Sequence, residues 1–569
     1  MDFKRLDRVR RSATPLELDV VEAYANGRIT RRQFIQRASV IGLSLPAISM
    51  VIAACSPGTA STAPTAAGSV EPGASPSAST AVVTGGTIRC AIQKPVKVDP
   101  VAMEDLGGYG IVAQSFEFLC TQQTIGDPGG LAPGLAESWE PNEDGTVWTF
   151  KLRQGVKWQN GATFSADDVV ATMERLVAAG NSGLKGVLEP GGAVATDANT
   201  VTFTLAGGNG NFPYLVSIYN AQTVIPPADY VAGTTADARP DGTGAWKLVN
   251  YDPQTGATFE RNPDWWGGQT PLDGTEFLFF DSTGPMITAY QGDQVDAIVQ
   301  FDVLTGAALF DDPNFTLIAT PAALHRQIWM RCDTGQFAKK EVRQALAYTF
   351  DRQALIDQLF KGRAELGNDH VIWQGYPYFD PSVTQRAQDI EKAKSLLSTA
   401  GVSDLTATLH AGQLQEIPDL ATLLKSQAAQ AGITLNIEVE SLDTFYNAQW
   451  CPPGATPPCS GAAELGIVDY GHRATPDVYL NAALKTNGIW NSSQYSSSEF
   501  DAGFTEFQQA VSVDAQKAAC GKIETILNED VPVGLPYFYN YLAGNSNKFT
   551  GVFSSALGQM SFSQTSQVG

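Results

Sequence analysis

Between Leu405 and Val439 the chain spells a strand, a helix and a second strand, and few folds accept that order. Leu405, Ala407 and Leu409 alternate with polar neighbours at the period of a half-buried strand, and Ile433, Leu435, Ile437 and Val439 do the same. Residues 416–431 carry the helical stretch, stopped by Gly432. Strands joined through a crossover of this length pair in parallel, so the spacing predicts a βαβ unit in an α/β domain. The helical residues 391–400 with Gly401 behind them, and the apolar run Leu465–Val468, extend the same pattern.

A second stretch, Leu131–Leu176, reads as a turn, a strand and a helix. Asn142-Glu-Asp-Gly145 is the turn, in which Gly145 supplies positive φ. Trp148, Phe150 and Leu152 alternate with Thr149 and Lys151. Ser165 with Asp168 three residues on signals a helix start, and Val169, Met173, Leu176 and Val177 share one helical face. These apolar residues belong in a core rather than against a ligand.

The wording of that stretch carries a resemblance. Leu135–Trp139, Thr149–Arg153, Gly155–Trp158, Gly161–Phe164 and Ala166–Val169 stand in the order of a known signature. It resembles that of extracytoplasmic solute-binding proteins, family 5, the peptide/nickel-binding receptors that feed ABC importers. Phe259–Gly267 and Glu341–Arg352 are two further blocks resembling the family. The resemblance implies an α/β fold of two lobes, periplasmic-binding-protein type II-like (a Venus-flytrap), with an additional inserted small α+β domain. On that reading lobe I takes 85–120, 239–324 and 535–569, the inserted domain takes 121–238, and lobe II takes 325–534. Local pattern places helices at 111–119, 285–291 and 498–528, and strands at Glu276–Phe280, Val295–Val299 and Pro532–Tyr541.

The first 54 residues are a leader and stay outside the fold argument. Thr30-Arg31-Arg32-Gln33-Phe34-Ile35 fits a twin-arginine export signal. Ala38–Ala54, 17 residues diluted by Ser, Gly and Pro, is shorter than the ~20 that span a bilayer. Ile52-Ala-Ala-Cys55 matches a lipobox, which predicts cleavage before Cys55 and lipid on its sulfur. Two or more acyl chains anchor stably where one does not. Residues 55–84, rich in Ser, Thr, Ala, Pro and Gly, bury too little apolar surface to order and read as a tether. The expected place is the outer face of the cytoplasmic membrane.

Net charge is −22, and the leader holds nine basic against five acidic residues, leaving −26 on the remainder. A nucleic-acid partner, which needs a basic face, is excluded on that ground. No Gly-x-Ser-x-Gly, P-loop, His-Glu-x-x-His or CxxC motif is present, and Gly207-Gly-Asn-Gly210 reads as a plain loop. No catalytic residue, cofactor or protein-built metal cage is assigned; the four histidines, His325, His370, His410 and His472, are widely spaced. With Cys55 assigned to lipid, six cysteines remain and allow 15 pairings. Cys451 and Cys459, flanking a Pro-rich loop, are the pair expected to close a disulfide.

The expected function is capture of a peptide-like or other small polar organic solute by hinge closure, by a monomer, for delivery to ABC permease subunits. A ligand-sensing receptor docked to a membrane signalling partner, and a metal-chelate (nickel-type) binder, are the alternatives. Asp469-Tyr470-Gly-His472-Arg473-Ala-Thr-Pro-Asp-Val-Tyr479 follows the buried run Leu465–Val468, with a helix expected from near Pro476. Ligands bind at such strand ends in α/β sheets. In peptide-binding members of the resembled family an Asp four residues before the Pro meets the ligand's amino group; here that position is His472, and Asp469 lies three residues earlier. Arg473 offers a planar fork for a carboxylate or phosphate. Tyr376, Tyr378 and Trp490, in loop-like context, are the candidate aromatic lining.

Overall fold

The computed structural model describes Val21 and residues 83–569, apart from positions 104, 125–126, 182, 232 and 235–239. Arg31, Arg32, Cys55 and nearly all of the tether therefore lie outside the described residues. Among the described residues no helix is long and apolar enough to cross a membrane.

One twelve-stranded sheet runs through both lobes. Its main path is Thr434–Glu440, Thr406–Gly412, Leu465–Tyr470, Phe315–Met330, Tyr537–Ser546, Ala297–Phe301, Thr87–Gln93, Gly274–Phe280, Gly256–Arg261 and Trp246–Asp252. The predicted βαβ unit is there: Thr406–Gly412 and Thr434–Glu440 pair in parallel around the helix Ile417–Ala429. Thr87–Gln93 is parallel to Gly274–Phe280 in the first lobe.

Phe315–Met330 and Tyr537–Ser546 carry the sheet from one lobe to the other. Thr316–Thr320 pairs with Tyr541–Asn545, and His325–Met330 pairs with Leu465–Tyr470. Between them the register shifts, from Thr320 to Leu324. Pro321 sits in that shift, and a residue with no N–H cannot continue a ladder. The expected lobe boundary at 324/325 falls inside this continuous strand, at the end of the bulge.

The second lobe packs a core on each face of its part of the sheet. Ile328, Met330, Leu346, Leu409 and Leu424 fill one, and Trp329, Val468, Phe500, Phe504 and Ile523 fill the other. Residues 121–238 contain a four-stranded antiparallel sheet of Ala136–Pro141, Val147–Leu152, Thr200–Leu205 and Leu188–Asp197. The helix Ala166–Ala178 covers it, and Asp168 accepts the Ser165 N–H at 2.8 Å, closing the capping box. Phe150 meets Phe203 edge to face at 5.1 Å beneath it, a geometry worth ~0.5–1.5 kcal/mol beyond burial.

Several local expectations shift. The helix read at 111–119 is Leu106–Ser115, because the Asp105 carboxylate accepts the Gly108 N–H and starts it earlier. The stretch 498–528 is two helices, Ser498–Gln509 and Val513–Asp530, the second capped by Ser512. Pro532–Tyr541 is broken by Pro536 into Val533–Gly534 and Tyr537–Ser546. Cys451 and Cys459 form a disulfide with Cα atoms 4.2 Å apart. Cys90, Cys120, Cys332 and Cys520 are free.

Candidate functional site

The strand Leu465–Tyr470 positions the site. Its first four residues are buried, Asp469 is half-buried and Tyr470 is buried. Opposite Asp469 and Tyr470 on the antiparallel neighbour stand Arg326 and His325. Cross-strand partners share a sheet face and successive residues alternate. Asp469 therefore goes with Arg326 on one face, and Tyr470 with His325 on the other.

On the first face Asp469 accepts the Tyr446 hydroxyl. The buried guanidinium of Arg326 turns to Glu416 at 2.8 and 3.0 Å, and to Gln415 and the Tyr539 hydroxyl, both at 2.7 Å.

On the second face the rings of His325 and Tyr470 lie nearly parallel, 15° apart with centroids at 5.4 Å. Tyr479 at 4.8 Å and Phe538 at 5.4 Å present edges to the same imidazole. Burial pushes the His325 pKa down to about 3, so the ring is neutral. Its Nδ1–H donates to the Ala323 carbonyl at 2.8 Å, and Nε2 accepts from the Gln327 amide at 3.0 Å.

Beyond Tyr470 the loop Gly471–Pro476 folds back on the hinge strand. His472 is buried, and its Nδ1 accepts the Ala323 N–H at 3.0 Å. Its ring meets Trp373 edge-on at 6.2 Å and lies 5.9 Å from Tyr219. Ala323 is thus held by both histidines, its N–H by His472 and its carbonyl by His325, at the end of the bulge.

Arg473 is half-buried and donates to the His472 carbonyl at 2.9 Å. It forms no salt bridge among the described residues, so it does not pair with Asp469. Burial raises the phenol pKa values of Tyr376, Tyr470 and Tyr479, and the Arg473 charge opposes that rise in all three. A half-buried guanidinium with no ion pair among the described residues is a ready partner for a ligand carboxylate. Tyr376 donates its hydroxyl to the Arg473 carbonyl at 2.7 Å and stacks on Tyr378 at 5.5 Å. The Tyr378 and Tyr470 hydroxyls are buried without a hydrogen-bond partner among the described residues. Trp490 is half-buried, 6.2 Å from Tyr470 and 6.4 Å from Trp450.

The structure therefore brings Tyr376, His472 and Arg473 into contact, sets Tyr378 behind Tyr376, and sets Trp490 against Tyr470. Asp469 stands apart on the opposite sheet face. Sequence reasoning missed His325, Trp373 and Tyr219. Trp373 lies three residues before Tyr376 in the same aromatic run, a signal that was present; nothing local marks Tyr219, which arrives from the 121–238 segment.

Residues 130–450, more than half of the chain, match the family described as bacterial extracellular solute-binding proteins, family 5 Middle. The chain belongs to that family. It is similar to heme-binding protein A of Haemophilus influenzae, 26% identical over 463 residues that make up 74% of this chain and 81% of the relative. It is similar to the periplasmic oligopeptide-binding protein OppA of the same organism, 24% identical over 79% of this chain and 87% of that one. In fold it matches HbpA2 from Haemophilus parasuis with a TM-score of 0.73 at 20% identity, covering 85% of this chain and 100% of the other. Family 5 proteins are periplasmic or extracellular solute receptors of ABC transporters and not enzymes, and this chain is a receptor of that class.

Proposed function

We propose that the chain captures a peptide-like solute carrying a carboxylate, closes its lobes on it, and presents the closed form to an ABC permease. The observation that carries this reading is Arg473, half-buried, without an ion pair among the described residues, and with its backbone carbonyl held by the Tyr376 hydroxyl at 2.7 Å. Likeness to an oligopeptide-binding relative over most of both chains supports the peptide class. The two crossing strands meet at a bulge beside this loop, which puts a hinge next to the ligand's place. Binding energy then selects the closed form without covalent chemistry. In the same proposal the mature protein is a monomer, exported through Arg31-Arg32 and held at the membrane by lipid on Cys55.

Native mass spectrometry of protein purified without refolding, followed by a tripeptide library, tests the ligand class. Retained or captured peptide at one to one is expected. Solution scattering with a captured peptide should show a smaller radius of gyration; an unchanged radius at saturation excludes closure.

A further inference from the structure

A histidine and two glutamates converge on the second lobe, near the carboxyl ends of its two parallel strands. His410 pairs in register with Glu438 on the neighbouring strand, and Glu440 follows two residues later on the same face. The His410 Nδ1 lies 3.4 Å from a Glu440 oxygen and 3.7 Å from a Glu438 oxygen, and all three donor atoms fall within 4.8 Å of one another. Donors around a tetrahedral zinc ion with bonds of about 2.0–2.1 Å stand about 3.4 Å apart. The two histidine–carboxylate distances are already close to that spacing, and the two carboxylates lie within 4.8 Å of each other.

We propose that His410, Glu438 and Glu440 bind one divalent transition-metal ion, zinc in the first place, with solvent at the fourth position. Imidazole with two carboxylates is a donor set that such ions accept. The side chains of His410 and Glu440 are only 14% and 18% exposed, so two ligands are fixed by packing, while Glu438 at 60% leaves the entry open.

The arrangement also has an outer support. The Gln449 side-chain amide donates to the second oxygen of Glu440 at 2.8 Å, which leaves the oxygen nearer His410 for the ion. The Gln449 carbonyl accepts the Ala463 N–H at 2.7 Å, and the next turn ends in the Cys451–Cys459 disulfide. The same short segment, Phe445–Trp450, carries Tyr446, whose hydroxyl holds Asp469. An ion at His410 would thus sit on the element that supports the strand end beside the solute site. The proposal does not rest on the peptide reading.

The test uses the full chain stripped with chelator and titrated with Co2+ alone, following visible absorption, then with Zn2+ as competitor. One equivalent of cobalt should give a band of tetrahedral intensity that zinc abolishes. Glu438→Gln, at an exposed position, and His410→Gln should weaken the metal at least tenfold with unchanged melting curves. Gln449→Ala should weaken it by about 10- to 100-fold, as loss of an outer-shell partner does. No saturable band in wild type overturns the assignment. So does a band of equal midpoint in wild type, Glu438→Gln and His410→Gln, which would place the ion elsewhere.

Discussion

Asn211 donates its side-chain amide to the Asp477 carboxylate at 2.8 Å, joining residues 266 apart in sequence, both buried. The Gln516 side-chain amide donates to the Asn211 side-chain oxygen Oδ1 at 2.8 Å, and the Gly210 N–H donates to the Gln508 carbonyl at 3.0 Å. The small-sheet segment is thereby docked on the helices of the second lobe. A Cβ on Gly210 would lie 1.8 Å from the Ala510 carbonyl oxygen, so glycine alone permits this approach. The loop Gly207–Gly210, unremarkable in sequence, is a docking surface.

That contact is pH-sensitive. Burial pushes the Asp477 pKa from 3.8 up to about 6, against hydrogen bonds from Thr475 and Asn211. The folded value is raised, so the contribution is full below the ordinary value and is lost as pH rises through about 6. At pH 8 the ionised carboxylate costs up to roughly 3 kcal/mol, two pKa units at 1.36 kcal/mol each. Part of that cost is already incurred below pH 5, so Asp477→Asn, which keeps an acceptor for Asn211, should gain roughly 1.4 kcal/mol on wild type between pH 5 and pH 8. Melting curves across that range check it; parallel curves for the two proteins refute the assignment.

A half-buried carboxylate joins two of the signature blocks. Glu117 accepts the indole N–H of Trp265 at 3.0 Å and of Trp266 at 2.7 Å, and Arg153 lies 4.0 Å over the Trp266 ring. Glu117→Ala should destabilise by roughly 3 kcal/mol, the loss of two hydrogen bonds to an acidic acceptor. Glu117→Gln, with one acceptor left, should lose about half. Urea unfolding measures both, and a change under 1 kcal/mol in Glu117→Ala would show the clamp to be dispensable.

The sheet was legible where one face is apolar and the period is strict, as in Leu405–Leu409 and Ile433–Val439. Helix ends were less so, because a cap such as Asp105 acts through one hydrogen bond that no periodicity reports. The site was half legible. A strand end pointed to residues 469–473, but periodicity does not say which face turns to a ligand. That depends on the register of His325 with Tyr470, set by a strand about 145 residues earlier. The Ala323 clamp, made of one peptide unit and two distant histidines, left no trace in sequence.

The proposed membrane attachment has its own test, independent of the fold. Cys55→Ser should release the protein from the membrane fraction or leave it unprocessed, and Arg31-Arg32→Lys-Lys should block export. Fractionation with immunodetection reads both. Mature Cys55→Ser protein that remains with membranes would remove the lipid anchor.

The site makes unequal demands on its residues, and the inequality is measurable. The Arg473 guanidinium has no ion pair among the described residues and donates to the His472 carbonyl alone, so Arg473→Ala should lose one charged hydrogen bond to the solute. Such a bond is worth ~1.5–3 kcal/mol, or roughly 10- to 150-fold in affinity. Its melting curve should move little, because its one hydrogen bond is to the neighbouring carbonyl. His472→Ala should behave oppositely at first sight, lowering stability, since a buried ring and the acceptor for the Ala323 N–H are lost together. Asp469→Asn should leave affinity within about twofold, because its carboxylate shares a sheet face with Arg326 and is held by Tyr446, away from Tyr470. Calorimetry of a captured peptide against the three variants, with melting curves alongside, separates these roles. Equal affinity for wild type and Arg473→Ala would move recognition away from the loop. A tenfold loss in Asp469→Asn would mean that the solute reaches the opposite face of the sheet.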